Sequence, residues 1–217
     1  MTHHRDTITE RMDKIAEIIF ASLDPEYYLA GGTALALQIG HRKSIDLDYF
    51  IAKNIDTADL RKKIGELFPS NTVEIAFEEK NTLWCSVDGV KVSFITRFDP
   101  LLVAVSPTDN FRLASIDDLT VMKLSAICGR EEYKDYFDLA CLAKNADART
   151  WISLWVKAYP HIDPTSWIVA LSAVESVVLI PLVIFPEYNN LDTCRVISSA
   201  VRDITKYIAA QSTSGAT

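Results

Sequence analysis

Residues 29–50 hold the feature that most narrows the fold. An apolar run ends in Gly31-Gly32-Thr33, an Ala/Leu-rich stretch runs to Ile39, and the alternating sequence Ser44-Ile45-Asp46-Leu47-Asp48-Tyr49-Phe50 follows. Two glycines after an extended segment let the backbone approach an anion at a helix N-terminus, where unpaired N–H groups and the helix dipole favour negative charge. Strand alternation sends Asp46 and Asp48 to one face and Ile45, Leu47 and Tyr49 to the other. The segment therefore predicts strand, helix and strand in close succession, with both carboxylates facing one place.

Like charges at that spacing repel and raise each other's pKa unless a cation lies between them. Mg²⁺ takes hard oxygen ligands, usually one or two carboxylates plus substrate phosphates, so Asp46 and Asp48 beside a phosphate-binding glycine turn form a half-site that a nucleotide completes. Alone, Gly-Gly reads as a tight turn and Asp-x-Asp as a solvated face. Their order and short separation, on a strand whose other face seats on a core, favour the metal and phosphate reading.

Downstream, Ser115-Ile116-Asp117-Asp118 is a variant of the capping box, so a helix should begin near Ile116 and end at Gly129. Leu119, Met122, Ala126 and Ile127 form its apolar face, and Lys123 lies at the margin with a stem long enough to hold its ammonium in a cleft. A second helix opens near Glu131, with Phe137, Leu139, Ala140 and Cys141 toward the core and Glu131, Asp135 and Asp138 on one face. Lys134 and Asp138, four apart, are spaced to pair with each other.

The first segment resembles the opening motif of the polymerase-β-type nucleotidyltransferase superfamily, specifically its AbiEii/AbiGii-type toxin branch. Arg42, Ser44, Asp46 and Asp48 fall in register with that motif. Val121 to Leu139 resembles the branch's later motif, a Lys-Leu-x-Ala helix, an arginine and a Lys-Asp-x-x-Asp-Leu helix. The resemblance spans residues 29–144. It implies transfer of a nucleoside monophosphate from a nucleoside triphosphate to an acceptor hydroxyl on RNA, tRNA or protein, releasing pyrophosphate. It also implies a toxin of a bacterial toxin–antitoxin or phage-defence pair, with a cognate antitoxin as partner.

On that resemblance Asp46 and Asp48 hold Mg²⁺ or Mn²⁺, and Gly31, Gly32 and Thr33 cradle the terminal phosphates. Lys123 and Lys134 neutralise triphosphate charge, and Asp135 takes the place of a base or acceptor-positioning carboxylate. Arg42, Ser44 and Arg130 complete the nucleotide contacts, Arg42 reading equally well as a brace for the strand. Superfamily enzymes commonly supply a third carboxylate from a later strand, where Gly89 to Ile95 offers Ser93. A second metal would then need Asp88, Glu74 or substrate oxygens, and the alternative is a weakened relative that binds nucleotides without turning them over.

Elsewhere, Ile8, Met12, Ile15, Ile18 and Ile19 mark an amphipathic helix closed by Asp24-Pro25, and residues 56–68 a second one. Strands are expected at 27–30, 72–77, 83–87 and 90–96, the last two joined by the hairpin signal Asp88-Gly89. From Ser115 onward the chain reads as helical, and the tail after Ala210 as disordered. Strands first and helices afterwards predict an α+β fold. Its N-terminal nucleotidyltransferase domain, a mixed sheet flanked by helices, covers residues 1–110, and a helical domain completing the active-site cleft covers 111–217.

Composition bounds the partners. The chain carries net charge −7, with 18 basic and 24 acidic side chains in residues 1–150 and 4 and 5 in residues 151–217. No broad nucleic-acid-binding surface is expected, because sequence-independent binding rests on many Lys and Arg contacts to phosphate. Arg42, Lys43, Lys123, Arg130 and Lys134 remain candidates for a local positive cleft. Residues 168–185 are apolar but carry Glu175, Ser172, Ser176 and Pro181. A buried helix ending near Ile180 is expected there, not a membrane span. Cys85, Cys128, Cys141 and Cys194 lack Cys-x-x-Cys spacing, the last three in helical, apolar contexts typical of buried thiols. Together with an N-terminus lacking an apolar signal core, they point to the cytoplasm. Trp151, Trp155, Tyr159 and Trp167 read as core.

Overall fold

The computed structural model describes residues 3–68, 73–105 and 107–214, and the chain divides into two compact units, residues 1–119 and 120–217. The first contains α1 (Glu10–Ser22), β1 (Tyr28–Ala30), α2 (Gly31–Ile39), β2 (Asp46–Ile51), α3 (Thr57–Leu67), β3 (Val73–Glu79), β4 (Thr82–Val87), β5 (Val90–Thr96) and a short ribbon, β6 (Pro107–Thr108) with β7 (Phe111–Arg112). Helix α4 (Ile116–Gly129) begins in the first unit and continues into the second, which adds α5 (Tyr133–Asn145), α6 (Thr150–Ala158), α7 (Thr165–Ser172) and α8 (Thr193–Ser214). The α+β class expected from the sequence is the class observed.

Five strands form a mixed sheet in the order β1-β2-β5-β4-β3, in which β2 and β5 run parallel and the other neighbours antiparallel. Alternation decides its faces. Leu47, Tyr49, Ile51, Leu83, Cys85, Val87, Val92 and Phe94 are buried, and Phe94 stacks on Tyr49 at 5.5 Å and meets Tyr27 edge-on at 5.6 Å. Such ring pairs add about 0.5–1.5 kcal/mol beyond burial. The opposite face carries Asp46, Asp48, Lys91, Ser93 and Trp84. Met12, Ile15, Ala16 and Ile19 of α1 and Leu60 and Ile64 of α3 join the core.

Local signals place these elements. Thr9 caps α1 by accepting from the Met12 N–H at 3.2 Å, and Asp56 caps α3 through the Asp59 N–H at 3.0 Å. Asp88 and Gly89 take φ of 51° and 78°, the left-handed pair a two-residue hairpin needs. Ser115 accepts from the Asp118 N–H at 3.0 Å, and the Asp118 carboxylate takes the Leu102 N–H at 2.6 Å, so the helix start also ties down the preceding loop.

Several expectations fail for physical reasons. Ile45 precedes β2 and is 74% exposed, so the apolar face of that strand begins at Leu47. The ribbon β6–β7 is too short to show a period in sequence. No buried helix reaches Ile180: α7 stops at Ser172, a 3₁₀ turn covers Val174–Ser176, and Val178, Leu179, Ile180 and Val183 are exposed. The β-branched Val177-Val178 and the bias of Ile180 away from helix before Pro181 oppose continuation. No helix among the described residues is long and apolar enough to cross a membrane. Helix α8 runs past Ala210 to Ser214, and residues 215–217 lie outside the described residues, as does Thr72, where β3 was expected to begin. Cys128 is exposed, Cys141 buried and Cys194 intermediate. Trp151, Trp155 and Trp167 are buried, as a core reading requires.

Candidate active site

The first unit assembles its site where β1 turns into α2. Gly31 has φ +66°, and a Cβ there would lie 2.7 Å from Asp48 Oδ2; a Cβ on Gly32 would collide with the Arg42 guanidinium. Both glycines are thus places where a charged side chain lies against bare backbone, and the Asp48 carboxylate reaches the first turn of α2. Asp48 is the cross-strand partner of Ala30 on β1 and of Ser93 on β5, while Asp46 is the partner of Lys91.

Hydroxyls hold the carboxylates. Ser93 donates to Asp48 Oδ1 at 2.6 Å. The buried Thr33 hydroxyl lies 2.7 Å from Ser44 Oγ and 3.4 Å from Asp46 Oδ1, and it also reaches the Asp46 carbonyl, its one proton serving one of them at a time. Ser44 Oγ is 3.3 Å from Asp46 Oδ1, and the Ser44 N–H donates to the Thr7 carbonyl at 2.9 Å. Thr33 and Ser44 are therefore turned inward, tying the start of α2 to the strand that carries Asp46. Arg42, 4% exposed, donates to the Lys43 carbonyl at 3.0 Å, and Lys43 reaches the Asp6 carbonyl. The buried setting of Arg42 matches a brace.

A second cluster lies within the second unit. The Lys123 ammonium is 2.7 Å from Asp135 Oδ1 and 2.6 Å from Asp138 Oδ2, with the lysine side chain 5% exposed and both carboxylates fully buried. Arg130 Nε donates to Asp135 Oδ2 at 2.8 Å, while its own side chain is half exposed. Burial pushes the Asp135 carboxyl up, but Lys123 and Arg130 outweigh burial and hold it below the usual carboxylate range. Lys134 pairs with Glu132 at 2.8 Å, and Asp138 goes to Lys123, so the expected Lys134 to Asp138 pair is not formed. Glu131 is exposed and precedes α5, off the face that buries Asp135 and Asp138.

Asp46 and Asp48 are hard oxygen donors on one sheet face. Among the described residues no group of three or more His, Cys, Asp or Glu side chains could hold a metal. That donor set fits one divalent ion whose remaining ligands come from substrate phosphates. Glu74 and Asp88 do not fill a third place: Glu74 lies on β3, three strands from Asp46 and so about 14 Å away, and Asp88 is in the hairpin turn. Sequence reasoning missed Lys91 and Trp84 on this face. Alternation from Ser93, combined with the hairpin register, places both there.

Residues 15–163 match the family described as nucleotidyl transferase AbiEii toxin, type IV toxin–antitoxin system. An uncharacterized protein of Aquifex aeolicus is 31% identical over 160 residues, covering 71% of this chain and 76% of that protein. The fold resembles that of JHP933 from Helicobacter pylori, with TM-score 0.53, 19% identity and coverage of 95% and 97% of the two chains. It also resembles MenT4, a nucleotidyltransferase toxin of Mycobacterium tuberculosis, with TM-score 0.54, 14% identity and coverage of 90% and 82%.

Proposed function

Because this chain belongs to the family of AbiEii nucleotidyl transferase toxins, we propose that its first unit binds a nucleoside triphosphate and one divalent ion, Mg²⁺ or Mn²⁺, at Asp46, Asp48 and the Gly31-Gly32 backbone. Membership makes the chain a nucleotidyltransferase of a toxin–antitoxin system. Its proposed reaction moves a nucleoside monophosphate to an acceptor hydroxyl and releases pyrophosphate. The observation that carries this reading is the approach of Asp48 to the first turn of α2, where a carboxylate meets backbone that can also face phosphate.

Asp46 and Asp48 would hold a divalent ion, which would supply neutralisation of charge on the transferring phosphate. The protein's own part is positioning. Gly31 and Gly32 keep the backbone bare where the Asp48 carboxylate and the Arg42 guanidinium approach it, the groups beside which the terminal phosphates would lie. Ser93 fixes the rotamer of Asp48, and Thr33 and Ser44 fix Asp46 relative to α2. Arg42, with its guanidinium against Gly32 and a hydrogen bond to the Lys43 carbonyl, braces that arrangement. Lys123, Asp135, Asp138 and Arg130 hold one another within the second unit. The buried Cys85 and Cys141 thiols, with all cysteines free, support a reducing cytoplasmic setting.

Incubation with radiolabelled triphosphates, Mg²⁺ and total RNA tests the reaction. Label should move to a macromolecular acceptor with the native chain and fall by at least about a hundredfold with Asp46→Asn. Equal labelling by the two proteins would refute the assignment.

A further inference from the structure

A line of residues crosses the open sheet face and continues past the carboxylates. Ala30, Asp48, Ser93, Trp84 and Phe77 are successive cross-strand partners on β1, β2, β5, β4 and β3. At about 4.8 Å per strand, Trp84 lies about 10 Å and Phe77 about 14 Å from Asp48. Trp84 is 47% exposed and Phe77 39% exposed, with ring centroids 4.9 Å apart and planes tilted by 42°. Cross-strand aromatic pairs do stabilise hairpins, but that role does not require alignment with the catalytic carboxylates.

In phosphoryl transfer the attacking and leaving oxygens lie roughly in line on opposite sides of phosphorus. On the proposed reaction, on which this inference rests, the leaving pyrophosphate lies against Gly31 and Gly32 at the β1 end of the row. The acceptor must then enter from the other end, over β5 and β4. The base of the incoming nucleotide hangs from the α-phosphate away from that line, so the aromatic pair is not placed to receive it. We propose that Trp84 and Phe77 form the stacking platform for the 3′-terminal base of a single-stranded RNA acceptor. Every base offers a π-face to such a platform. The 3′-hydroxyl oxygen bonds to the α-phosphorus, the bond to the bridging oxygen of the β-phosphate breaks, pyrophosphate leaves with that electron pair, and the hydroxyl proton passes to solvent.

Charge on this face fits a short occupant. Lys91, exposed between its partners Asp46 and Ser86, supplies a cation for the phosphate of the terminal linkage. Glu74 and Glu79, paired with Ser86 and Thr82, flank the aromatic pair and repel phosphates farther along a strand. The platform therefore takes a terminal base and its linkage, not a long RNA track.

Emission and transfer measurements test the platform. Trp151, Trp155 and Trp167 are buried, so a short single-stranded RNA oligonucleotide with a free 3′-hydroxyl should quench the exposed Trp84, and the quenching should vanish in Trp84→Phe. Trp84→Ala should raise the KM for that RNA roughly tenfold or more, leaving triphosphate binding and thermal midpoint near native, and Trp84→Phe should restore most of the KM. Lys91→Ala should flatten the salt dependence of RNA binding by about one phosphate contact. An unchanged KM in Trp84→Ala overturns the platform, as does labelling of protein in place of RNA. RNA that quenches Trp84 without accepting label from the native chain would leave the platform standing and refute the transfer reaction instead.

Discussion

Replacing Lys123 by methionine should destabilise the second unit far more than the loss of a surface charge. The ammonium lies 2.7 Å from Asp135 and 2.6 Å from Asp138, both fully buried. Methionine keeps most of the stem's volume but strips a cation from two carboxylates, leaving Arg130 on Asp135. Removing one partner of a buried ion pair costs about 3–5 kcal/mol, which for a chain of this length lowers the thermal midpoint by on the order of 10 °C. The pH dependence carries a sign. In the native protein Asp135 is held below its ordinary value of 3.8, so its stabilisation is fully present above that pH and is lost as pH falls through the lower folded value. In Lys123→Met one of the two cations that offset burial at Asp135 is gone and only Arg130 remains, so the Asp135 carboxyl should titrate above its wild-type position. The variant's deficit relative to wild type should therefore shrink as pH falls through the acid range. Urea denaturation followed by emission of Trp151, Trp155 and Trp167, which are buried in the same unit, reads both effects. Unfolding unchanged within about 0.5 kcal/mol, with only the KM for triphosphate raised, would refute the internal counter-ion role and return Lys123 to the substrate.

Two further substitutions probe the first unit. Gly31→Ala should cost about 1–3 kcal/mol from its left-handed φ and the 2.7 Å approach to Asp48, and should reduce transfer at least tenfold, while the control Gly65→Ala, with open space around its Cβ, should be neutral or stabilising; equal thermal midpoints and activities for the pair would refute the crowding argument. Ser93→Asp removes the donor to Asp48 and adds a like charge beside it, so the metal-free protein should lose about 1–2 kcal/mol and show a larger upward midpoint shift with Mg²⁺ than wild type. A Mg²⁺ response no larger than native would show that this position does not face the ion.

What could be read from sequence was whatever local rules control. Alternation in Asp46 to Ile51, the Asp88-Gly89 hairpin and the cap at Ser115 each depend on a few neighbouring residues, and each formed. The approach of Gly31 to Asp48 belongs to the same class, since one short helix joins them. The destination of a charge was not legible. Lys123 looked like a cleft lysine because its partners Asp135 and Asp138 come from another helix, and helical spacing suggested Lys134 for Asp138 when Lys123 was the nearer cation. Thr33 looked like a phosphate ligand because a hydroxyl's direction is set by packing, here toward Ser44. Hydropathy also misjudged Val178, Leu179, Ile180 and Val183, where apolar character did not bring burial.

Charge also limits how the proposed RNA acceptor could be held. A chain of net charge −7 exerts little long-range pull on a polyanion, and the sheet face beside the carboxylates sets Lys91 among Asp46, Asp48, Glu74 and Glu79. Each phosphate neutralised on a single strand contributes only about 0.7 to the salt slope, so affinity built on Lys91 alone would be slight. Stacking on Trp84 and Phe77 is short-ranged and insensitive to salt, and it supplies what charge does not. The same balance selects ends over interiors. On the proposed platform a 3′ terminus would bring one phosphate past Lys91 and set its hydroxyl toward Asp48 with its base about 10 Å away over Trp84, whereas an interior nucleotide carries phosphate on both sides and would drive one of them against the flanking glutamates.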